Sequence, residues 1–384
     1  MKITGYRELT TIQDWGHAIG DVNGSIESGI TEVPILILET DEGIEGIGLG
    51  PHDGVDQVFP AIEGEDPRAV MALYDRMMGQ VFKTGHQGSV FGAIGVIDMA
   101  LWDLKAKLAD EPAWRTVGAR DRFVAGYASC LDAPVPDDDL APMWQQWADR
   151  GFTAVKVKGG ADVDHDIDRM RIAKEVFSHA RPSQTTKPAI FYDVNESWSP
   201  AHAVSRLRRI AQAGIDLTWI EEPARRWDAT GLKFVRDHGG TAVASGENLT
   251  GLEQFLPLVE AGSLDVVQTG SCWGITHALR VGMLAFSHNL AYSPVGYNAN
   301  PVAAAAAALP NHMTTEIQSL TPPLGISVDQ SLEDGGIVLG DTPGLGFSID
   351  ETAIEAHRQS APWRTQAGPH VRPASTGFAL TFEK

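Results

Sequence analysis

Three carboxylates constrain the fold of this chain more than any other feature. Asp193, Glu221 and Glu247 each close a run that reads as a β-strand, AIFYD, LTWIE and TAVASGE, at nearly even intervals. The intervals are close to one strand plus one crossover helix. In an eight-stranded α/β barrel, consecutive parallel strands are neighbours and their C-terminal ends ring the face where active sites sit. Three carboxylates converging there repel one another and call for a cation. An all-oxygen ligand set favours a hard divalent ion such as Mg²⁺, with positions left open for a substrate. The preceding strand, TAVKVKGG, carries the complement: alternation puts Lys156 and Lys158 on one face and Val155 and Val157 on the other. With the valines packed outward, both lysines enter the barrel mouth. Two ammonium groups at that spacing disfavour each other's charge, which lowers the pKa of at least one and suits it to general-base work.

The rhythm around these strands is that of a barrel. From Phe123 onward VAGYAS, TAVKVK, AIFYDV, LTWIEE, TAVASGE, LDVVQTG, NLAYSPV and MTTEIQ read as strands, with helical segments between several of them. Eight is the barrel count. Before Phe123 the rhythm is absent. KITGYREL leads through a polar, Gly-rich stretch into a hairpin, VPILILET and IEGIGLG, turning at Asp41-Glu42-Gly43. A helix follows in which Ile94, Ile97, Ala100, Leu101 and Leu104 recur at helical spacing, giving it one buried face. The expected fold is α/β: an N-terminal α+β capping domain over residues 1–122 and a modified TIM (β/α)-barrel over 123–320. In the C-terminal segment, 321–384, GIVLGD and PGLGFSID read as return strands and the last twenty or so residues as a surface tail. The alanines at Ala303–Ala308 read as tight helix packing.

Composition excludes several classes. At 384 residues with 43% hydrophobic content, the chain supports a barrel plus a smaller domain. A net charge of −20 argues against nucleic acid, whose phosphates demand a basic footprint. No apolar run is long enough to span a membrane, and MKITGYREL lacks a signal-peptide core, so no membrane partner is expected. The two cysteines, Cys130 and Cys272, imply neither a disulfide framework nor a thiolate metal site, and a cytoplasmic location follows as the expectation.

With these motifs in place the chain resembles the enolase superfamily, in its mandelate racemase-like branch, over nearly its whole length. GVIDMALWDLKAK looks like the signature helix closing that family's capping domain; AVKVKGG is similar to its Lys-x-Lys strand; YDVN, WIEEP and SGEN are similar to its three metal-ligand strands; and GDTPGLGFSID is similar to the segment that returns to the cap. The resemblance implies that Asp193, Glu221 and Glu247 bind Mg²⁺. It implies that Lys158 abstracts the proton beside a substrate carboxylate while Lys156 helps to neutralise that carboxylate. It places Glu316, Asn195 and Gln268 against the substrate, brings loops carrying Trp15, His17 and His52 over the barrel mouth, and implies a homo-oligomer. Mg²⁺ and a cationic lysine would stabilise the enediolate as charge develops.

The chain departs from the family in one respect. Many members place a His after the seventh strand, oriented by an Asp after the sixth. Here VVQTGSCWGIT puts Thr269 and Gly270 where Pro and Asp are common, and LAYSPVGYNAN puts Ser293-Pro294 where a His would stand. Loss of the dyad argues against two-base racemisation and leaves Tyr297, Lys158 itself or a lid residue to protonate a leaving group. His288 precedes the seventh strand and is a remote substitute. The hydrogen-bonding lid residues Trp15, His17, Asp21, Asn23 and Ser25 point to a polyhydroxylated acid, and Arg225 and Arg226 to a clamp on a distal carboxylate. The expectation is therefore a Mg²⁺-dependent dehydratase of a sugar acid, aldonate or aldarate. An epimerase or cycloisomerase is the alternative within the enzyme class, and a metal-dependent carboxylate-binding homologue without turnover the alternative outside it.

Overall fold

Period-2 alternation produces eight parallel strands. They run Phe123–Ser129, Ala154–Lys158, Ala189–Asp193, Trp219–Glu221, Ala242–Ser245, Val266–Gly270, Ala291–Val295 and Thr315–Ile317. The first seven pair in sequence order, the eighth pairs with the first, and a parallel bridge between Tyr292 and His312 closes the gap between seventh and eighth. This computed structural model describes residues 1–83, 85, 87–180 and 188–360. The surface tail expected from the sequence lies outside the described residues. Among the described residues, no helix is long and apolar enough to cross a membrane.

Side-chain direction divides the barrel interior into two levels. Val155 and Val157 are buried in the main core between strands and helices. Tyr127, Phe191 and Trp219 instead point inward: Phe191 stacks on Trp219 at 3.7 Å between centroids, and Tyr127 meets both edge-on. This aromatic plug fills one end. Two residues further along the same strands, Asp193 and Glu221 are again inward, now at the C-terminal end. The plug removes water from beneath them, and the alternation supplies the polar level above.

The N-terminal region is an antiparallel sheet of Ile3–Asp14, Ile30–Thr40 and Gly46–Leu49 with helices Val70–Gln80 and Gly88–Leu108 against it. The hairpin turn occurs where the sequence places it, with Leu38 opposite Gly46 and Gly43 at φ 75°. The long helix differs from expectation: residues from Phe91 to Leu104 are all buried, including Asp98 and Asp103, so it has no exposed face over that length. It is wedged between cap sheet and barrel. Its acids work as backbone acceptors. Asp98 takes the N–H of Thr276 at 2.7 Å and its hydroxyl at 2.5 Å, capping the barrel helix Ile275–Ser287. Asp103 takes the N–H groups of Ile47 at 2.9 Å and Leu345 at 2.6 Å. The alanine run is a helix, Ala303–Ala308, buried over its first four residues.

The C-terminal segment divides its contacts. Ile326–Val328 pairs antiparallel with Phe347–Ile349, and Ile326, Phe347 and Ile354 pack on Val33, Ile35 and Ile37 of the cap sheet. The strand Gly336–Leu339 adds to the first barrel strand instead, with Ile337 opposite Val124. Ile326–Val328, the GFSID stretch and the helix carrying Ile354 therefore reach the cap, whereas GIVLGD joins the barrel.

Close approach at Gly95 sets the cap–barrel contact: an added Cβ would stand 2.5 Å from the Cys272 carbonyl oxygen and 2.7 Å from the Trp273 carbonyl carbon. Gly79, in the neighbouring helix, meets nothing within 4 Å. Gly95→Ala is expected to destabilise by about 1–3 kcal/mol through overpacking. Gly79→Ala is expected to stabilise by up to about 1 kcal/mol through lower chain entropy. Thermal or denaturant unfolding of the two variants checks both signs.

Candidate active site

Adjacent strands bring the candidate residues into one line at the C-terminal face. Lys158 is paired in register with Asp193, and Asp193 with Glu221. Lys156 Nζ lies 2.7 Å from Glu221 Oε1, 2.8 Å from Glu316 Oε1 and 3.4 Å from Asp193 Oδ2. Lys158 Nζ lies 2.5 Å from Asp193 Oδ2 and donates to Asn195 Oδ1 at 3.3 Å. Lys156, Asp193, Glu221 and Glu316 are fully buried, and Lys158 nearly so. Just beyond the strand ends the backbone turns sharply: Asn195, Glu196 and Glu222 sit at φ 43°, 58° and 46°. Such left-handed turns cost of order 1 kcal/mol each and cluster at functional sites. Gly246, at φ 130°, breaks the alternation of the fifth strand immediately before Glu247.

The electrostatics overturn one expectation. Burial alone would lower both lysines, and Lys156 does lower Lys158, but the carboxylates outweigh these effects. Glu221 and Glu316 hold Lys156 well above its ordinary value, and Asp193 raises Lys158. Neither lysine is depressed, because more acids than bases face each of them. Burial would likewise raise Asp193, yet Lys158 and Lys156 hold it down to about 2. Glu221 goes the other way: burial, and the charges of Asp193, Glu316 and Glu247, push it up to about 8 against the pull of Lys156.

Above this cluster opens a cleft bounded by Lys158, Glu247 and Glu316 below, Trp15, Ile19, Thr31 and Glu32 from the cap, and Cys272, Trp273, Tyr297 and Asn298 from the sixth and seventh strand loops. Among the described residues lining it, Lys158 is the sole Lys, Arg or His.

Two family descriptions match the chain: "Enolase C-terminal domain-like" over residues 139–353 and "Mandelate racemase / muconate lactonizing enzyme, N-terminal domain" over residues 27–118. The chain belongs to the mandelate racemase-like enolase superfamily. It is similar to a 3,6-anhydro-alpha-L-galactonate cycloisomerase of Streptomyces coelicolor, 30% identical over 75% of this chain and 78% of the relative. It is also similar to an L-talarate/galactarate dehydratase of Salmonella typhimurium, 28% identical over 84% and 82%. Among solved structures, a racemase from Streptomyces coelicolor with bound magnesium superposes at a TM-score of 0.82 with 26% identity, covering 92% of this chain and 99% of that one.

Within this superfamily scaffold the residues present fit a hard divalent cation. Asp193, Glu221 and Glu247 end three adjacent strands and offer only oxygen donors. Burial first, and then the charges of Asp193, Glu316 and Glu247, drive Glu221 to keep a proton near neutral pH. The three are not drawn together as a finished cage: among the described residues no group of three His, Cys, Asp or Glu side chains is so arranged. The lysines sit between Asp193, Glu221 and Glu316, and Glu247 accepts from Asn248 Nδ2 at 2.8 Å.

Other expected residues fall in several places. Trp15 lines the cleft, its indole N–H donating to Thr31 Oγ1 at 3.0 Å, and Tyr297 lines the opposite wall. Gln268 is buried inside the barrel with both amide atoms unpartnered. His17 is tied to the Cys130 carbonyl at 3.1 Å, away from the cleft lining. His52 does not line the cleft: its ring lies 3.2 Å from the Leu9 carbonyl, in a pocket shared with the C-terminal helix Glu351–Ser360. The lid polar groups satisfy neighbours and not the cleft: Asp21 Oδ1 accepts from the Asn23 N–H, Asn23 Nδ2 donates to the Asn195 carbonyl, and Ser25 bonds Glu27. Arg226 is held by Glu196 at 2.5 Å and reaches the Asn248 carbonyl, so it serves the loops behind Glu247 and makes no clamp in the cleft. His288 is exposed and precedes the seventh strand, at the end of the barrel opposite the site. The sequence reading missed Asp132, which accepts the Lys158 backbone N–H at 3.0 Å; it follows the first strand closely enough that a search for strand-end acids would find it.

A raised Glu221 has a sign. The unfolded chain releases this proton near the ordinary value of 4.5 and the folded chain near 8, so the metal-free fold loses stability as pH rises between them. Thermal melts from pH 5 to 8 are expected to show this decline without divalent cation, and Mg²⁺ is expected to abolish the Glu221-dependent part. A Glu221→Gln variant should show neither the decline nor the Mg²⁺ response.

Proposed function

We propose that this enolase-superfamily enzyme is a Mg²⁺-dependent sugar-acid dehydratase, acting on an aldonate or aldarate. The observation that supports the reading is the cleft lining, in which Lys158 is the sole Lys, Arg or His among the described residues and Tyr297 also takes part. Asp193, Glu221 and Glu247 would hold Mg²⁺, which supplies positive charge at the carboxylate oxygens where charge accumulates. With those carboxylates so occupied, burial first and then the Lys156 charge favour the neutral form of Lys158, which removes the proton α to the carboxylate. Lys156 stays cationic between Glu221 and Glu316. The C–O bond at the β-carbon then breaks, and the departing hydroxyl leaves as water on taking a proton from Tyr297. Burial and the neighbouring Cys272 raise that phenol above its ordinary value, so it holds its proton through neutral pH. The enol product tautomerises to a 2-keto-3-deoxy acid. A relative named L-talarate/galactarate dehydratase and another named as a D-galactonate dehydratase family member support the substrate class.

A second reading, cycloisomerisation, is favoured by the 30% identity to the anhydrogalactonate cycloisomerase. The two share the first step and differ in whether water is lost.

Incubation with Mg²⁺ and a panel of mono- and diacid sugars in D₂O, followed by mass spectrometry, separates them. Water loss from one or a few acids is expected; deuterium uptake without water loss would replace the reading with an isomerase. Lys158→Met is expected to lower α-proton exchange by about 10²–10⁴-fold, the usual worth of a general base, while Mg²⁺ binding by calorimetry persists. Tyr297→Phe is expected to depress water loss more than exchange.

A further inference from the structure

A second cavity, of about 610 Å³, opens beside the candidate active-site cleft and shares Asn248 and Trp273 with it. Small-molecule sites run from ~300 to 1,000 Å³ and favour the C-terminal face of such barrels. Loops after the fourth, fifth and sixth strands form most of this one, and Gln87 and Gly88 at the start of the long cap helix complete it. Trp227 lines it at 64% exposure, with the Arg226 guanidinium 5.6 Å from its ring centroid. Among the described residues lining the cavity, Arg226 is the sole charged side chain, and that charge is spent. Glu196 Oε1 takes its Nε–H at 2.5 Å, and the Asn248 carbonyl takes a terminal N–H at 3.4 Å. The side-chain amides are half-spent. Asn248 donates its Nδ2 to Glu247 at 2.8 Å, and Gln254 accepts the Thr250 N–H on its Oε1 at 2.9 Å. An acceptor on the first and a donor on the second are left without a partner, and both belong to half-buried side chains on which they stay accessible.

We propose that this cavity binds a neutral saccharide ring, stacked on the Trp227 indole and hydrogen-bonded by the amides of Asn248 and Gln254. The lining selects this chemistry by what it lacks as well as by what it holds. An anion would find no free cation, because Arg226 already faces Glu196. A purely apolar ligand would cover the Asn248 acceptor and the Gln254 donor without satisfying them, which is costly. A sugar ring meets both demands: its C–H face is apolar and faintly positive, matching the negative face of an indole, and its hydroxyls donate and accept at the rim. Such a ring has two sources, the neutral end of a glycosylated sugar acid or a free sugar. The site goes beyond the dehydratase reading and does not depend on it, since binding alone reads it.

The test uses the full chain with Mg²⁺, calorimetry, and saturation-transfer NMR for weak ligands. The neutral probes are the methyl β-glycosides of D-galactose, D-glucose and D-xylose. The acidic probes are D-gluconate and its galactosyl and glucosyl derivatives, lactobionate and cellobionate. At least one neutral glycoside or glycosyl-gluconate is expected to bind through Trp227: Trp227→Ala weakens it about tenfold, and Trp227→Phe, which keeps a ring face, restores most of the loss. Gln254→Leu is expected to weaken the same probe while D-gluconate binding stays unchanged in all three variants. Trp227 is largely exposed, so its truncation is expected to leave the thermal melt in place. A glycosyl-gluconate that binds more tightly than gluconate, with the gain lost in Trp227→Ala, assigns the ring to an extended acid. A glycoside that binds without any such gain assigns it to a free sugar. Saccharide binding that ignores Trp227→Ala, or no saccharide binding at all, would overturn the proposal. So would a Trp227→Ala chain whose sedimenting mass changes while no glycoside binds, which would give the cavity to a contact between copies.

Discussion

Two buried lysines among carboxylates set the condition that the rest of the molecule meets. Charges taken out of water are tolerated only when paired with good geometry, and removing one partner leaves the other stranded. The pairing here draws on four strands at once: Lys156 and Lys158 from the second, Asp193 from the third, Glu221 from the fourth and Glu316 from the eighth. A one-residue slip in any of them would turn its charge outward and bring an apolar side chain in. The closed barrel is the arrangement in which the second and eighth strands can both flank the first, and the aromatic plug below keeps the register from drifting.

The cap is bound into the same arrangement through backbone contacts. The helix Gly88–Leu108 lies against Cys272 and Trp273 at Gly95, and its Asp98 caps the helix that begins directly after them. Trp273 in turn donates its indole N–H to the Glu247 carbonyl at 2.6 Å. The cap therefore sets the wall of the cleft and steadies a candidate metal ligand through three successive contacts. Cap and barrel form a working unit because the segment joining them lines the site.

Legibility followed from how local each signal was. Strand-end acids and the Lys-x-Lys alternation depend on a few consecutive residues, so Asp193, Glu221, Lys156 and Lys158 could be placed on one barrel face from pattern alone. The direction of the lysine shifts could not, because it is a sum over acids distributed along the chain, Glu316 among them, and a pairwise reading of neighbouring lysines counts only the repulsive part. The all-round burial of the cap helix was hidden because Asp98 and Asp103 read as polar positions until their backbone donors are known. His52 lies in a loop, and Asp21 and Ser25 in the short hairpin of Ile19–Asp21 and Gly24–Ile26, whose side-chain directions depend on how the cap sits on the barrel, which no local pattern records.

The two lysines, indistinguishable by alternation, are separated by their surroundings. Lys156 has no exposed surface and is enclosed by Glu221, Glu316 and Asp193, with the Tyr127 ring centroid 5.9 Å away. A proton leaving it would strip Glu316 of its cationic partner, so it is suited to remain a fixed positive charge. Lys158 has a single carboxylate partner in Asp193, a weaker contact in Asn195, and a place in the cleft lining. Relieving that one partner of its charge is enough to change the proton affinity of Lys158, whereas Lys156 would keep Glu316 in any case. The division of labour between a base and a fixed cation thus follows from which strand-end acids each lysine meets, and the eighth-strand glutamate is the residue that decides it.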